Sequence, residues 1–374
     1  MILQTLPPAG NPIITQLSSA APETELNWPG YNLQWLQSGT AALAFALLHK
    51  KAAFKHIEQP EVIVPAYCCP DLLSAAQFAG YVPVVVDINP NDPSYNLEAL
   101  EKAVNANTLA VIVINFMGIK ERLAQLIDVV APFSQVSMIE DNAQWFPVTP
   151  SEAQFEGDYV CFSFGRGKAV SLLGGGLVAL KESLPQHTVA VNKAQVNTKK
   201  WLLKANIINR LSNPFVYNLL TKLSFLNIGA TRFHELFELS GFPFESLQVL
   251  NANLHAYQQR ASEAEPILDD ALAQLNVLQP INSQRRGRLL RYPVLCESAE
   301  QRNALYEALI SYGASKMYTT ALPQVQGVQP AMWQGDGHYE HARHFAQCFL
   351  TLPVHAGVTE KHARAMAKII AQHS

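Results

Sequence analysis

The chain has 374 residues, of which 49% are hydrophobic and 15% charged, and its formal net charge is −3. That length allows two domains, or one large α/β domain with a smaller companion, built over a sizeable core. The charge balance gives no footing for nucleic acid, and the longest apolar runs fall well short of the roughly 18 residues that a membrane span needs.

Residues 1–30 are rich in proline and polar side chains and are expected to wrap over the surface, and they lack the pattern of a secretory signal. Ser38-Gly39-Thr40 leads into an alanine- and leucine-rich run at 41–50, which predicts a helix capped by Ser38 or Thr40. Small residues at such a helix start let backbone N–H groups approach an anion, which the helix dipole also favours. An ordinary capped core helix accounts for the same letters. Alternating elements follow: strands at 61–67, 82–88, 109–116 and 135–141, with helices at 71–80, 96–104 and 121–131. The strands are near-continuous apolar runs, as in a doubly wound parallel sheet covered on both faces. Ligands of such sheets sit beyond the carboxyl ends of the strands, where Tyr67, Asn115, Asp141, Gln144, Ser163 and Lys168 fall.

Two stretches carry chemistry. Glu140-Asp141-Asn142-Ala143-Gln144 closes an apolar strand, and Asp141 there either caps the next turn or holds a proton on a cationic ring nitrogen. The run from Tyr159 to Lys168 delivers Ser163 and Lys168 five positions apart, before the triplet Gly174-Gly175-Gly176. A lysine in an apolar, glycine-lined turn is a candidate for an amine of lowered pKa, as Schiff-base chemistry requires; a surface loop lysine is the plainer alternative. The serine hydroxyl and nearby N–H groups suit a phosphate. A P-loop is excluded, since Ala169 stands where the Mg²⁺-binding Ser or Thr belongs.

Beyond residue 185 the pattern loosens. Amphipathic pieces at 199–211 and 216–226 read as core or subunit-contact surface, and 244–275 reads as one long helix linking to a second domain. A strand at 291–296 and helices at 299–312, 342–350 and 360–373 complete a small α+β domain, which divides the chain into 1–240 and 241–374. His338, His341 and His344 stand three apart but have no carboxylate or cysteine cluster beside them, so a solvated or interface face is expected rather than a metal site. The five cysteines show no C-x-x-C spacing, which points to a reducing cytoplasm, and Cys68-Cys69 read as buried small hydrophobes.

Ser38-Gly39-Thr40-Ala41-Ala42-Leu43, Val64-Pro65-Ala66-Tyr67, Val84-Val85-Val86-Asp87, Glu140 to Gln144, Phe162-Ser163-Phe164 with Lys168, and Leu350-Thr351-Leu352-Pro353-Val354-His355 together resemble the DegT/DnrJ/StrS-type sugar-nucleotide aminotransferases. The resemblance covers most of the chain and lies in the order and spacing of these pieces. It implies the pyridoxal-phosphate-dependent transferase fold of type I, an α/β large domain with a mostly parallel sheet covered by helices plus a small C-terminal α+β domain. It further implies that Lys168 forms the Schiff base with pyridoxal 5'-phosphate, that Asp141 pairs with the ring nitrogen, and that Gln144 lies near the ring hydroxyl. Gly39, Thr40 and Ser163 would hold the phosphate. Cys69 occupies the place of the family's ring-stacking aromatic residue, with Tyr67 as a possible substitute.

The implied activity is transfer of an amino group from glutamate to a keto-sugar nucleotide, by a cytoplasmic homodimer serving polysaccharide or amino-sugar biosynthesis. A lysine at position 168, where dehydrating relatives carry histidine, favours transamination. Two positions depart from the pattern: the asparagine usually donated by the neighbouring subunit has no match near Phe242-Pro243-Phe244, and no acid precedes Gly174 and Gly175. Two alternatives therefore stand beside the first reading, a small non-sugar keto acceptor and a cofactor-binding relative without catalysis.

Overall fold

A computed structural model describes residues 5–16, 26–194, 197–221, 231–242, 249–261, 263–273, 278–280 and 287–373. Its larger sheet has seven strands in the order β1-β7-β6-β5-β4-β2-β3. These are β1 (Tyr31–Leu36), β2 (Glu61–Pro65), β3 (Val82–Val86), β4 (Thr108–Ile114), β5 (Ser137–Asp141), β6 (Tyr159–Ser163) and β7 (Gly176–Lys181). Strands β6 to β3 run parallel, while β7 and β1 are antiparallel additions at one edge. The central strands are buried on both faces, so their valines and isoleucines have no polar alternation to show.

Helix α1 (Gly39–Ala52) lies across β6 and β7. Ala41, Ala42, Ala44 and Ala46 are wholly buried, and their small side chains let the helix sit close to the sheet. Its Ser38 cap accepts the Ala41 N–H at 3.1 Å. Helices α2 (Asp71–Phe78), α3 (Leu97–Ala103) and α4 (Leu123–Val130) supply the crossovers between parallel strands. Two helices, α5 (Thr198–Leu211) and α6 (Pro214–Thr221), follow β7; residues 222–226 of the second expected amphipathic piece lie outside the described residues.

The long linking helix expected at 244–275 is instead two helices, α7 (Leu250–Gln258) and α8 (Ala264–Ala273). Pro266 explains the break: it has no N–H to donate, and its ring would clash with the carbonyl four residues earlier. The expected ends of that helix, at 244 and 275, lie outside the described residues. The smaller sheet, order β10-β9-β8, is antiparallel and comprises β8 (Leu278–Pro280), β9 (Arg291–Cys296) and β10 (Phe349–Pro353). Helices α9 (Ala299–Leu309), α10 (Glu340–Cys348) and α11 (Glu360–Gln372) accompany it. The helix expected at 342–350 thus ends two residues early, where Phe349 begins a strand that pairs with β9.

Residues 5–14 correct the expectation of a surface wrap. Leu6 and Ile13 are buried, and the segment is fastened as a strap across distant elements. The Asn209 side chain accepts the Ile13 N–H and donates to the Ile13 carbonyl, at 2.9 and 2.8 Å. Asn253 does the same for Ile14, at 2.9 Å in each direction. His355 Nε2 donates to the Pro7 carbonyl at 2.8 Å while its Nδ1 accepts the Gly357 N–H at 3.0 Å. Trp28 is buried as well, against Phe155 and Phe162.

Candidate active site

The parallel strands end at a common cavity of about 220 Å³, lined by Gly39, Thr40, Cys69, Asp141, Gln144, Ser163, Lys168 and Tyr318 among others. Its floor is the start of α1. Ala41 and Ala42 donate their N–H groups to Ser38, which bridges in parallel to Gly175, while the Thr40 N–H has no hydrogen bond among the described residues. Position 39 has to be glycine for this geometry: a Cβ there would stand 2.7 Å from Ser163 Cβ. Gly176 serves the same close approach, since a Cβ would fall 2.1 Å from the Ser38 carbonyl oxygen. The glycine triplet therefore lets β7 run beside the helix cap, and Ser163 reaches the helix start from the end of β6. The helix start with its Thr40 N–H, a threonine and a serine make this floor suited to a phosphate.

Asp141 closes β5 on the opposite wall and accepts the Ala143 N–H at 2.8 Å. Burial pushes its carboxyl above the ordinary carboxylate range, against that hydrogen bond and the Lys168 charge, which hold it down. A cation placed against it would reverse the shift. Lys168 lines the cavity from the turn after β6, where its N–H bonds the Gly165 carbonyl at 3.3 Å. Its amine makes no hydrogen bond or ion pair among the described residues. Cys69 stands on the wall as a neutral thiol: burial, then the Asp71 carboxylate, push it up to about 12, with Lys168 opposing. Among the described residues no group of histidines, cysteines and carboxylates is arranged to hold a metal ion.

Gln144 is engaged on both sides. Its Oε1 accepts the Met117 N–H at 3.0 Å and its Nε2 donates to the Tyr318 hydroxyl at 3.1 Å. Met117 has a φ of +57°, a left-handed conformation that a side chain other than glycine rarely takes, and the Gln144 bond fastens it. Tyr67 is the one expected cofactor residue that the cavity does not include. Its ring packs among Phe116, Tyr318, Phe345 and Phe349, with centroids 4.8–6.1 Å away, and its hydroxyl donates to the carbonyls of Met317 and Tyr318. The chain leaves β2 at Pro65, and beyond it the side chain turns into the core while Cys68 and Cys69 turn to the cavity. Tyr318 and Asp71 line the cavity without having been singled out from sequence. Tyr318 lies 174 positions from Gln144 along the chain, and no local motif marks it.

These residues fit pyridoxal phosphate: a phosphate floor at α1, a buried carboxyl for a cationic ring nitrogen, and the Lys168 amine near that carboxyl. Residues 35–202 match the DegT/DnrJ/EryC1/StrS aminotransferase family. Over 152 residues the chain is 30% identical to protein MosB of Rhizobium meliloti, an alignment that takes in 39% of this chain and 28% of MosB, little more than a quarter of that relative's length. Among solved structures, a putative sugar aminotransferase from Streptococcus pneumoniae in its PLP form superposes with a TM-score of 0.68 at 18% identity, covering 99% of this chain and 100% of that one. NtdA from Bacillus subtilis with bound PMP gives 0.67 at 15% identity, covering 96% and 78%. 3-Amino-5-hydroxybenzoic acid synthase gives 0.61 at 20%, covering 91% and 86%. The fold is that of the pyridoxal-phosphate-dependent aminotransferases.

Proposed function

We propose, from the match of residues 35–202 to the DegT/DnrJ/EryC1/StrS aminotransferases, that this chain is a pyridoxal-phosphate-dependent aminotransferase. The observation that carries this reading is the shared cavity of Lys168, Asp141 and the start of α1. Bound there, pyridoxal phosphate supplies the electron sink for a carbanion at the donor's α-carbon. The Gly39 and Thr40 N–H groups, with the Thr40 and Ser163 hydroxyls, would hold the phosphate. The Asp141 carboxylate would hold a proton on the ring nitrogen, an ion pair favoured by the low dielectric that disfavours the lone carboxylate. Lys168 Nζ would anchor the cofactor covalently, yield its place to the donor amine, and then carry the proton to and from the α-carbon. Gln144, tied to Met117 and Tyr318, would fix the wall beside the ring.

For substrates we propose glutamate as donor and a keto-sugar nucleotide as acceptor, in amino-sugar or cell-surface polysaccharide biosynthesis. The named sugar aminotransferase of like fold supports this. The cavity volume favours one alternative: about 220 Å³ accommodates a cofactor with little beside it, which also suits a small non-sugar keto acceptor. We assign cofactor binding to a domain at 1–240 and the link and small domain to 241–374. A homodimer is supported by Phe237, 81% exposed beside an open groove lined by Leu48, Phe78, Val189 and Leu239. The five cysteines, all free, suit a cytoplasmic setting.

Absorbance and borohydride reduction test the reading. Purified protein with pyridoxal phosphate should absorb in the visible, and reduction should fix the cofactor on Lys168; in Lys168→Ala it should fix none. Glutamate should bleach the visible band, and a keto-sugar nucleotide should restore it. Fixation that persists in the alanine variant places the attachment elsewhere. A spectrum that no amino donor shifts favours a binding protein over an enzyme, and restoration by small keto acids alone moves the acceptor to the second class.

A further inference from the structure

The segment 183–234 carries seven of the chain's 27 basic residues and none of its 30 acidic ones. Within it, α5 and α6 present apolar side chains to solvent: Leu203 is 62% exposed, Phe215 57% and Leu219 64%. On α5, Leu203 and Ile207 lie one turn apart at the middle of the exposed face. At 100° per residue, Lys199 and Arg210 flank them on one side and Lys200 and Lys204 on the other. The opposite face is tied to the body of the protein, since Ala205 is buried and the Trp201 indole N–H donates to the Leu172 carbonyl at 2.8 Å.

We propose that the exposed face of α5 and α6 docks the protein on an anionic lipid surface. Apolar side chains along the centre, with long basic side chains at both margins, are arranged to enter the acyl boundary while the ammonium and guanidinium groups reach lipid phosphates. The four basic residues of α5, with no acid in α5 or α6, match the negative potential of such a leaflet. A second copy fits this face poorly. An isologous contact would set Lys199, Lys200, Lys204 and Arg210 against the same cluster across the two-fold axis, with no acidic residue in either helix to neutralise it. Spanning is not the mode: among the described residues no helix is long and apolar enough to cross a membrane. The helices lie on the surface instead, with Trp201 tying them to the loop that carries Lys168.

Co-sedimentation of the cofactor-loaded protein with vesicles tests the proposal. Vesicles containing phosphatidylglycerol should carry it down, pure phosphatidylcholine vesicles should not, and raised salt should release it. Two variants separate the contributions: Leu203→Ser with Leu219→Ser, and Lys199→Glu with Lys200→Glu and Lys204→Glu. The charge variant should weaken vesicle binding by roughly 100-fold or more, and the apolar variant by about ten-fold. Both should keep the visible absorbance of the bound cofactor. No binding to phosphatidylglycerol vesicles, or binding that survives both variants, overturns the proposal. So does sedimentation velocity showing that either variant turns a dimer into monomers, because the face is then a subunit contact.

Discussion

Burial of Asp141 has opposite consequences before and after a cofactor binds. Its folded-state pKa lies above the unfolded one, so folding favours the protonated carboxyl. The resulting penalty is absent below the unfolded pKa of about 3.9 and grows as pH rises from there through the folded value. Asp141→Asn keeps an acceptor for the Ala143 N–H and removes the charge. The cofactor-free variant should therefore melt higher than the parent at pH 7, with the gain shrinking toward pH 4. The same substitution should reduce the stabilisation that pyridoxal phosphate confers and slow the glutamate half-reaction by orders of magnitude, since an amide cannot keep the ring nitrogen protonated. Thermal scans with and without cofactor, across pH, check both halves. Asp141, Ser163 and Lys168 were legible in the sequence because each sits at or just past the end of an apolar strand, and parallel strands bring such ends together. Tyr67 was not, because past Pro65 no alternation fixes which way a side chain points.

At the scale of elements, the strap of residues 5–14 makes stability depend on a histidine. Burial first, with Arg260 and Arg291 adding to it, lowers the pKa of His355 to about 4, while its bond to the Pro7 carbonyl pulls the other way. A depressed pKa means the folded protein binds fewer protons than the unfolded chain. This contribution is complete above the ordinary value of about 6.5 and is lost as pH falls from there toward the folded value. His355→Gln can still donate to Pro7 and accept from Gly357 without titrating. It should flatten the fall of the denaturation midpoint between pH 6.5 and 4, at the cost of some packing against Gly10. The strap could not be foreseen from its own letters: Leu6 and Ile13 are isolated among prolines and polar residues, and the side chains that fasten them lie far along the chain. The split of the linking helix, by contrast, was marked in the sequence by Pro266.

Across the whole molecule, one hydrophobic cluster runs from the large sheet into the small one, uniting Val62 and Tyr67 with Val294 and Phe349. Tyr67 is the hinge pin of that junction, reaching from the end of β2 to the carbonyls before and at Tyr318. Tyr67→Phe leaves those buried carbonyls short of a donor and should cost about 1–3 kcal/mol of stability. Because the ring lies outside the cavity, pyridoxal-phosphate affinity should stay within about two-fold of the parent. An affinity loss beyond that would return Tyr67 to the cofactor site. The alternation of strands and helices was legible at this scale, since the buried parallel strands are mostly apolar runs, with β5 turning polar only at its ends. The antiparallel edge β1 was not, because its residues are half exposed and carry no such signature.

The strap also sets a clock. Residues 7, 13 and 14 are fastened by groups 348, 196 and 239 positions further along the chain. A ribosome adding roughly 5–20 residues per second takes on the order of 20–70 s to reach His355 after making Pro7. Ile13 and Ile14 wait for Asn209 and Asn253, the Pro7 end waits for His355, and the parallel strands between 61 and 163 can assemble without any of them. The segment is thus secured long after it is made. A holding chaperone that covered Leu6 during that wait would be displaced once His355 is made and takes the Pro7 carbonyl.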